Sequence, residues 1–298
     1  MRLPDLAELL ELRALAQRLM LPTHRPSRAA SVGQHLSVHR GRGLELQEVR
    51  AYVPGDDPRS IDWRVTARRG RPHTKLFREE RERPVWLLVD LQPGTFFGTR
   101  CQLKSALIVR AAAVLAWTAA LGGDRVGAIV STGTAARVLA PRSREAGVLP
   151  LLGVLEQLQP RAPAPPAPQG LNEALRLLTP LARPGSLSLL VSDFAGIDAQ
   201  TEPLWWALAA RGEGRLFQVT DPLERHGLPD GRYRGGVPDA LRLLDGASVR
   251  DDWHAAWARR AAHLSALAAL SPAPLVRLDT AQPLEEALAL LQRRRSAA

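Results

Sequence analysis

Two aspartates stand where an open α/β sheet would do chemistry. Asp90 closes the apolar run VWLLVD, and Asp193 closes LSLLVSD. A pair of carboxylates on one rim can act as general acid and base, or can share a hard divalent cation that wants about six oxygens. A second concentration of charge lies in AYVPGDDPRSIDWRVTARRG, residues 51–70, where Asp56, Asp57 and Asp62 alternate with Arg59, Arg64 and Arg68. One reading is an acid cluster for catalysis or metal. The other is an arginine–carboxylate network, with Glu45 and Arg50 in reach, that clamps a turn. Surrounding guanidiniums keep such carboxylates ionised, which suits a network and disfavours a general acid.

Other catalytic patterns are missing. No G-x-x-x-x-G-K-[ST] or G-x-S-x-G occurs, and the histidines, His35 and His39 included, never take H-E-x-x-H spacing. The single cysteine, Cys101, excludes an internal disulfide framework and a multi-cysteine zinc site, and reads as a small apolar residue at a helix start. A reducing, cytoplasmic setting is the expectation. The formal charge is +10, yet the arginines run from Arg2 to Arg295 instead of clustering on one element. Lys75 and Lys104 are the only lysines among 40 basic residues, the mark of a compositional bias. Nucleic acid is therefore not the expected partner.

These residues need elements to position them. Leu3, Leu6, Leu10, Leu15 and Leu19 recur at helical spacing between acidic residues, so the N-terminus reads as an amphipathic helix and not a signal peptide. It packs on the domain or on a partner. No membrane span of roughly 18–20 uncharged apolar residues is expected, and peripheral attachment stays open. Apolar strands at 85–90, 125–131, 187–193, 215–220 and 275–278 alternate with helices at about 103–121, 145–158, 172–182, 205–211, 251–270 and 284–294. Strands apolar on both faces and separated by helices imply a doubly wound, mostly parallel sheet covered on both sides. Asp90, Asp193, Asp221 and Asp279 fall at strand ends, the rim where open α/β sheets bind ligands.

Three segments divide the chain: a helix and linker at 1–27, a small antiparallel β module at 28–83, and an α/β domain at 84–298 with a proline-rich connector at 160–169. In the module, Leu36/Val38, Leu44/Leu46, Ile61/Trp63/Val65 and His73–Phe77 alternate with polar neighbours, as strands do. That pattern buries Trp63 on one face. Val53-Pro54-Gly55-Asp56 suits a type II turn. The tryptophans at 205–206 and at 253 and 257 read as core or groove packing, with a partner surface as the other use.

Residues 48–90 carry a long pattern: a glutamate, then R-x-Y-x-P-G-D-D-x-R-x-I-D-W and an alanine–arginine pair. Glu45, Arg50, Tyr52, Asp56, Asp57, Arg59, Asp62, Trp63 and Arg68 fill it, and Thr66 replaces the usual serine. GDRVG at 123–127, LLVSDF at 189–194 and DPLER at 221–225 extend it. The chain resembles the bacterial family known as domain of unknown function fifty-eight. That resemblance implies a von Willebrand factor A-like domain preceded by the β module. It implies a non-enzymatic adaptor or co-chaperone role with a MoxR-type AAA+ ATPase and other von Willebrand factor A proteins. It also implies a metal-ion-dependent adhesion site in degenerate form. Asp90 and Asp193 are kept, while Gln92 and Gly94 replace two serines, and Asn172 is the nearest donor where a threonine would lie. With the hydroxyls gone, Mg²⁺ binding is expected to be weak or absent, and no cofactor is expected. Two alternatives are a Mg²⁺-dependent hydrolase using Asp90 and Asp193, and nucleic-acid binding through the arginine-rich surface.

Overall fold

The computed structural model describes residues 1–19, 44–53, 56, 58–79, 82–164, 170–236, 241–270, 275–286 and 288. The chain divides into two compact units, Met1–Arg25 with Arg83–Ala298, and Pro26–Glu82. In chain order the helices are α1 (Leu6–Arg18), α2 (Trp63–Arg69), α3 (Lys104–Leu121), α4 (Glu145–Leu158), α5 (Gly170–Leu181), α6 (Thr201–Ala209), α7 (Pro222–His226) and α8 (Arg250–Ala269). The strands are β1 (Leu44–Ala51), β2 (His73–Glu79), β3 (Pro84–Asp90), β4 (Arg125–Ser131), β5 (Ala136–Ser143), β6 (Ser186–Ser192), β7 (Gly212–Thr220), β8 (Arg232–Gly235), β9 (Arg242–Asp245) and β10 (Val276–Asp279).

The larger unit is an α/β fold around a six-stranded sheet of order β10-β7-β6-β3-β4-β5. Every pair is parallel except β4 with β5. Because successive side chains point to opposite faces, each strand feeds two cores. Val85, Leu87 and Val89 enter the core under α1, α3 and α4. Trp86 and Leu88 enter the core under α5, α6 and α8. The strand order reverses between β3 and β6, which sets the ends of those two strands side by side.

α3 is apolar all round, as a helix enclosed on every side must be. By length and mean hydropathy it could cross a membrane, yet it is buried inside the unit. α1 supplies its outer cover: the indole N–H of Trp117 donates to the Leu9 carbonyl at 3.1 Å, and Leu9, Leu15, Ala16 and Leu19 join the core. The N-terminal helix thus packs in cis. Its buried face is offset from the expected one, for Leu6 and Leu10 are exposed.

β5, β8, β9 and the short helix α7 escaped the sequence pattern. β5 is an exposed edge strand interrupted by Pro141, which the antiparallel edge tolerates. Gly127 on β4 makes room for it, since a Cβ there would stand 2.8 Å from the Pro141 ring. β8 and β9 form a short hairpin. Within the connector, residues 160–164 form neither helix nor strand, and 165–169 lie outside the described residues.

In the smaller unit β1 and β2 pair antiparallel. Residues 63–69 are not a strand but helix α2, and Trp63 is 68% exposed instead of buried. Asp62 decides this locally. Its carboxylate accepts from the N–H groups of Arg64 at 3.0 Å and Val65 at 3.2 Å, a helix N-cap that outweighs a five-residue alternation. Gly70, at φ 68°, ends the turn. The segments holding Leu36, Val38, His35, His39, Pro54, Gly55 and Asp57 lie outside the described residues, as does the side chain of Glu45.

Candidate functional site

The residues at the carboxyl rim of the larger sheet come from four loops. β3 ends in Asp90, fully buried and aligned with Ser131 of β4. The Ser192 hydroxyl donates to Asp90 Oδ2 at 2.6 Å, and the Gln92 amide reaches the same oxygen at 3.3 Å. Asp90 Oδ1 has no hydrogen-bond partner among the described residues. Burial, reinforced by the charge of Asp193, pushes the Asp90 carboxyl up to about 7.

Asp193 follows β6. Phe194 beside it takes a positive φ of 53° and buries its ring, which turns the chain sharply at this point. Asp193 Oδ1 accepts from the Ala195 N–H at 3.0 Å. Its other oxygen meets the ammonium of Lys104 at 2.7 Å, and that ammonium also meets Glu224 Oε1 at 2.8 Å. Lys104 opens α3, where the helix dipole disfavours a cation, so the two carboxylates must hold it there. Burial by itself pushes the ammonium down, but Asp193 and Glu224 outweigh it and raise Lys104 above the ordinary lysine value. Burial likewise opposes ionisation of Asp193, and Lys104 reverses it, holding that carboxyl below its usual range.

Glu224 is fixed in turn. Its second oxygen accepts from the Asp221 N–H at 3.1 Å, completing a capping box on α7. Asp221 is itself buried and accepts from the Thr99 N–H at 2.8 Å, the Thr280 hydroxyl at 2.6 Å and the Leu223 N–H at 2.9 Å. This ties the loop after β3 to the ends of β7 and β10. Asp279 pairs with Arg225 at 2.8 Å.

The expected crevice is only partly assembled. Asp90, Gln92 and Asp193 share the rim, and Gly94 lines a cavity over it together with Lys104. Asn172 is committed elsewhere: its amide donates to Asp198 at 2.9 Å and its oxygen accepts from Thr201 at 2.8 Å. The Thr95 hydroxyl is turned onto the Gln92 carbonyl at 2.7 Å. A divalent cation at this rim would need Asp193 as an open ligand, and the lysine ammonium already occupies that oxygen. The residues present do not fit the metal.

Several signature residues of the smaller unit hold its local structure. Arg50 pairs with Asp56 at 2.7 Å, and Asp56 also accepts from the Val53 N–H at 3.0 Å. Those two contacts, the backbone one first, hold the Asp56 carboxyl below its usual range. Asp62 caps α2. The Thr66 hydroxyl accepts from the His73 N–H at 3.0 Å, a bond that serine could also make. The Tyr52 N–H bonds the Pro72 carbonyl at 2.9 Å, and Arg59 and Arg68 are exposed.

Sequence reasoning missed Lys104, Glu224, Ser192 and the Thr99–Asp221–Thr280 link. Lys104 had a signal. In a chain that uses arginine almost throughout, a lysine kept at the start of an apolar helix marks a place where a compact ammonium fits and a planar guanidinium does not.

The family described as "Protein of unknown function DUF58" matches residues 48–262. Uncharacterized proteins of Mycobacterium tuberculosis and Mycobacterium bovis are each 36% identical over 202 residues, 66% of this chain and 61% of the relative. The chain therefore spans about 61% of the length of those relatives. Among solved structures, the conserved hypothetical protein BatB from Bacteroides thetaiotaomicron gives a TM-score of 0.42 at 17% identity, covering 72% of this chain and 100% of that one. An aerotolerance-related membrane protein from Bacteroides fragilis gives 0.42 at 11% identity with the same coverage.

Proposed function

The chain belongs to the family described as protein of unknown function DUF58, and from that premise we propose that it is a non-enzymatic adaptor that works by binding other proteins through the rim of its sheet. The supporting observation is Lys104, whose ammonium stands between Asp193 and Glu224 at 2.7 and 2.8 Å. In this reading the larger unit is a von Willebrand factor A-like domain with a degenerate metal site. A built-in cation supplies the positive charge, and the rim remains as a contact surface. The partner class is the one the sequence resemblance implies, a MoxR-type AAA+ ATPase, and the setting is cytoplasmic.

The reading is consistent with the chemistry of the rim. The Asp193 and Glu224 carboxylates are spent on Lys104, and Asp90 holds its proton more firmly than an ordinary carboxyl. A carboxylate held by an ammonium is not free to take a proton from substrate, and Asp90 is fully buried away from the residues that line the cavity.

The test is co-purification from the native host under conditions that retain ATPase complexes. Capture of an AAA+ ATPase by the wild-type chain, lost in a folded rim variant such as Glu224→Gln, is the expected result. Steady turnover of a small molecule by the purified chain, or wild-type preparations that bring down no ATPase, would remove the reading.

A further inference from the structure

A cavity of about 420 Å³ opens over the rim, between the loop after β3, α7 and the first half of α8. Trp253, Ala256, Trp257 and Arg260 line it at i, i+3, i+4 and i+7, so one face of α8 forms a wall. Further along the same helix Leu264 and Leu267 are buried in the core, which anchors that wall. Phe97 faces it from the loop after β3, and Lys104 and Glu224 form the floor.

Two donors in this cavity are unsatisfied. The Arg260 guanidinium lies over the Trp257 ring at 5.6 Å, is drawn electrostatically to Asp193, and has no hydrogen bond or close ion pair among the described residues. Lys104 spends two of its three N–H donors on carboxylates, and its ammonium lies 5.7 Å from the Phe97 ring. A guanidinium with free N–H groups presents a fork to a planar acceptor, and a bidentate carboxylate is the complement.

We propose that this cavity receives a carboxylate carried by a partner protein, an Asp or Glu side chain clasped by Arg260, with a neighbouring apolar side chain against Phe97, Trp253 and Trp257. The assignment rests on the adaptor reading and gives it a contact point. A monoanion fits better than a phosphate dianion because Lys104 with Asp193 and Glu224 leaves one net negative charge beneath the site. A protein-borne group fits better than a free metabolite because Trp253, Trp257 and Arg260 are each only half-buried. A small molecule would leave them wet, whereas a partner surface would cover their edges, and Trp and Arg are the side chains that carry such contacts.

The test titrates the full chain with N-acetylated, C-amidated hexapeptides that place one Asp or Glu beside Leu or Phe, following tryptophan fluorescence and heat. Matched Asn and Gln peptides, and free phenylpropionate, are the controls. Acidic peptides should bind, with affinity falling about tenfold or more for the amide peptides and for Arg260→Gln. Trp257→Ala should also weaken binding, and circular dichroism confirms that both variants fold. Equal binding of acidic and amide peptides, unchanged binding by Arg260→Gln, binding of phenylpropionate without any peptide, or no peptide binding at all would overturn the proposal. Host co-purification with Arg260→Gln separates the two readings. ATPase capture equal to wild type overturns this cavity as the contact and leaves the adaptor role standing. Capture by wild type that is lost in both Arg260→Gln and Glu224→Gln supports both.

Discussion

The Lys104 ammonium lies 2.7 Å from the Asp193 carboxylate, with the lysine and aspartate side chains only 3% and 5% exposed. Each group is charged because of the other. Burial disfavours the ionised form of both, and their attraction, with Glu224 added, reverses that preference.

Removing one member should be far worse than an ordinary surface change. Lys104→Met leaves Asp193 and Glu224 without their cation and is expected to cost about 3–5 kcal/mol in urea denaturation. Lys104→Ala frees the same oxygens and leaves space. Millimolar MgCl₂ or CaCl₂ should then raise the melting temperature of the alanine variant and leave wild type unmoved. A wild-type chain stabilised by magnesium would contradict the assignment of Lys104 as the resident cation.

Asp90 makes stability depend on pH. Its folded value of about 7 lies above the ordinary 3.8, so between those values the unfolded chain releases a proton that the folded chain keeps. The Asp90 contribution is therefore whole below pH 3.8 and is lost as pH rises through about 7, at most about 4 kcal/mol. Asp193 and Lys104 act outside this window. The lowered Asp193 loses its contribution only as pH falls below the usual carboxylate range, and the raised Lys104 only above the usual lysine range. Asp90→Asn should remove the slope between pH 4 and 7 and be more stable than wild type at neutral pH. Parallel wild-type and variant curves would refute this.

Asp221 ties three loops together and carries no assigned chemistry. Asp221→Ala leaves the buried Thr280 hydroxyl without its partner and releases the exposed Thr99, and a loss of about 2–3 kcal/mol is expected. Thr280→Val removes a single bond and should cost less. Equal small losses for both would mean that the loops close without Asp221.

In the smaller unit, Asp62 and Trp63 should behave in opposite ways. Asp62→Ala removes the α2 cap and is expected to cost about 1 kcal/mol. Trp63→Ala, at a position 68% exposed, should change stability by no more than about 0.5 kcal/mol. A large loss at Trp63 would place its ring in a core after all.

The strand-and-helix order of the larger unit was legible in the residues, because VWLLV at 85–89 and LLV at 189–191 are consecutive apolar residues and a sheet covered on both faces uses such runs. The aspartates at the strand ends were legible too, since chain order alone sets them on the rim. β5 was not: it lies at an edge with one side in water, so its residues carry no continuous apolar signal. α2 was misread because five alternating residues suit a strand and a capped helical turn equally well, and one side-chain hydrogen-bond pattern decides. The pairing of Lys104 with Asp193 and Glu224 spans 89 and 120 residues. No local spacing encodes contacts of that range. Only closing the sheet, with β3 beside β6 and α7 folded over the rim, brings the three charges together, and burial then makes each one require the others.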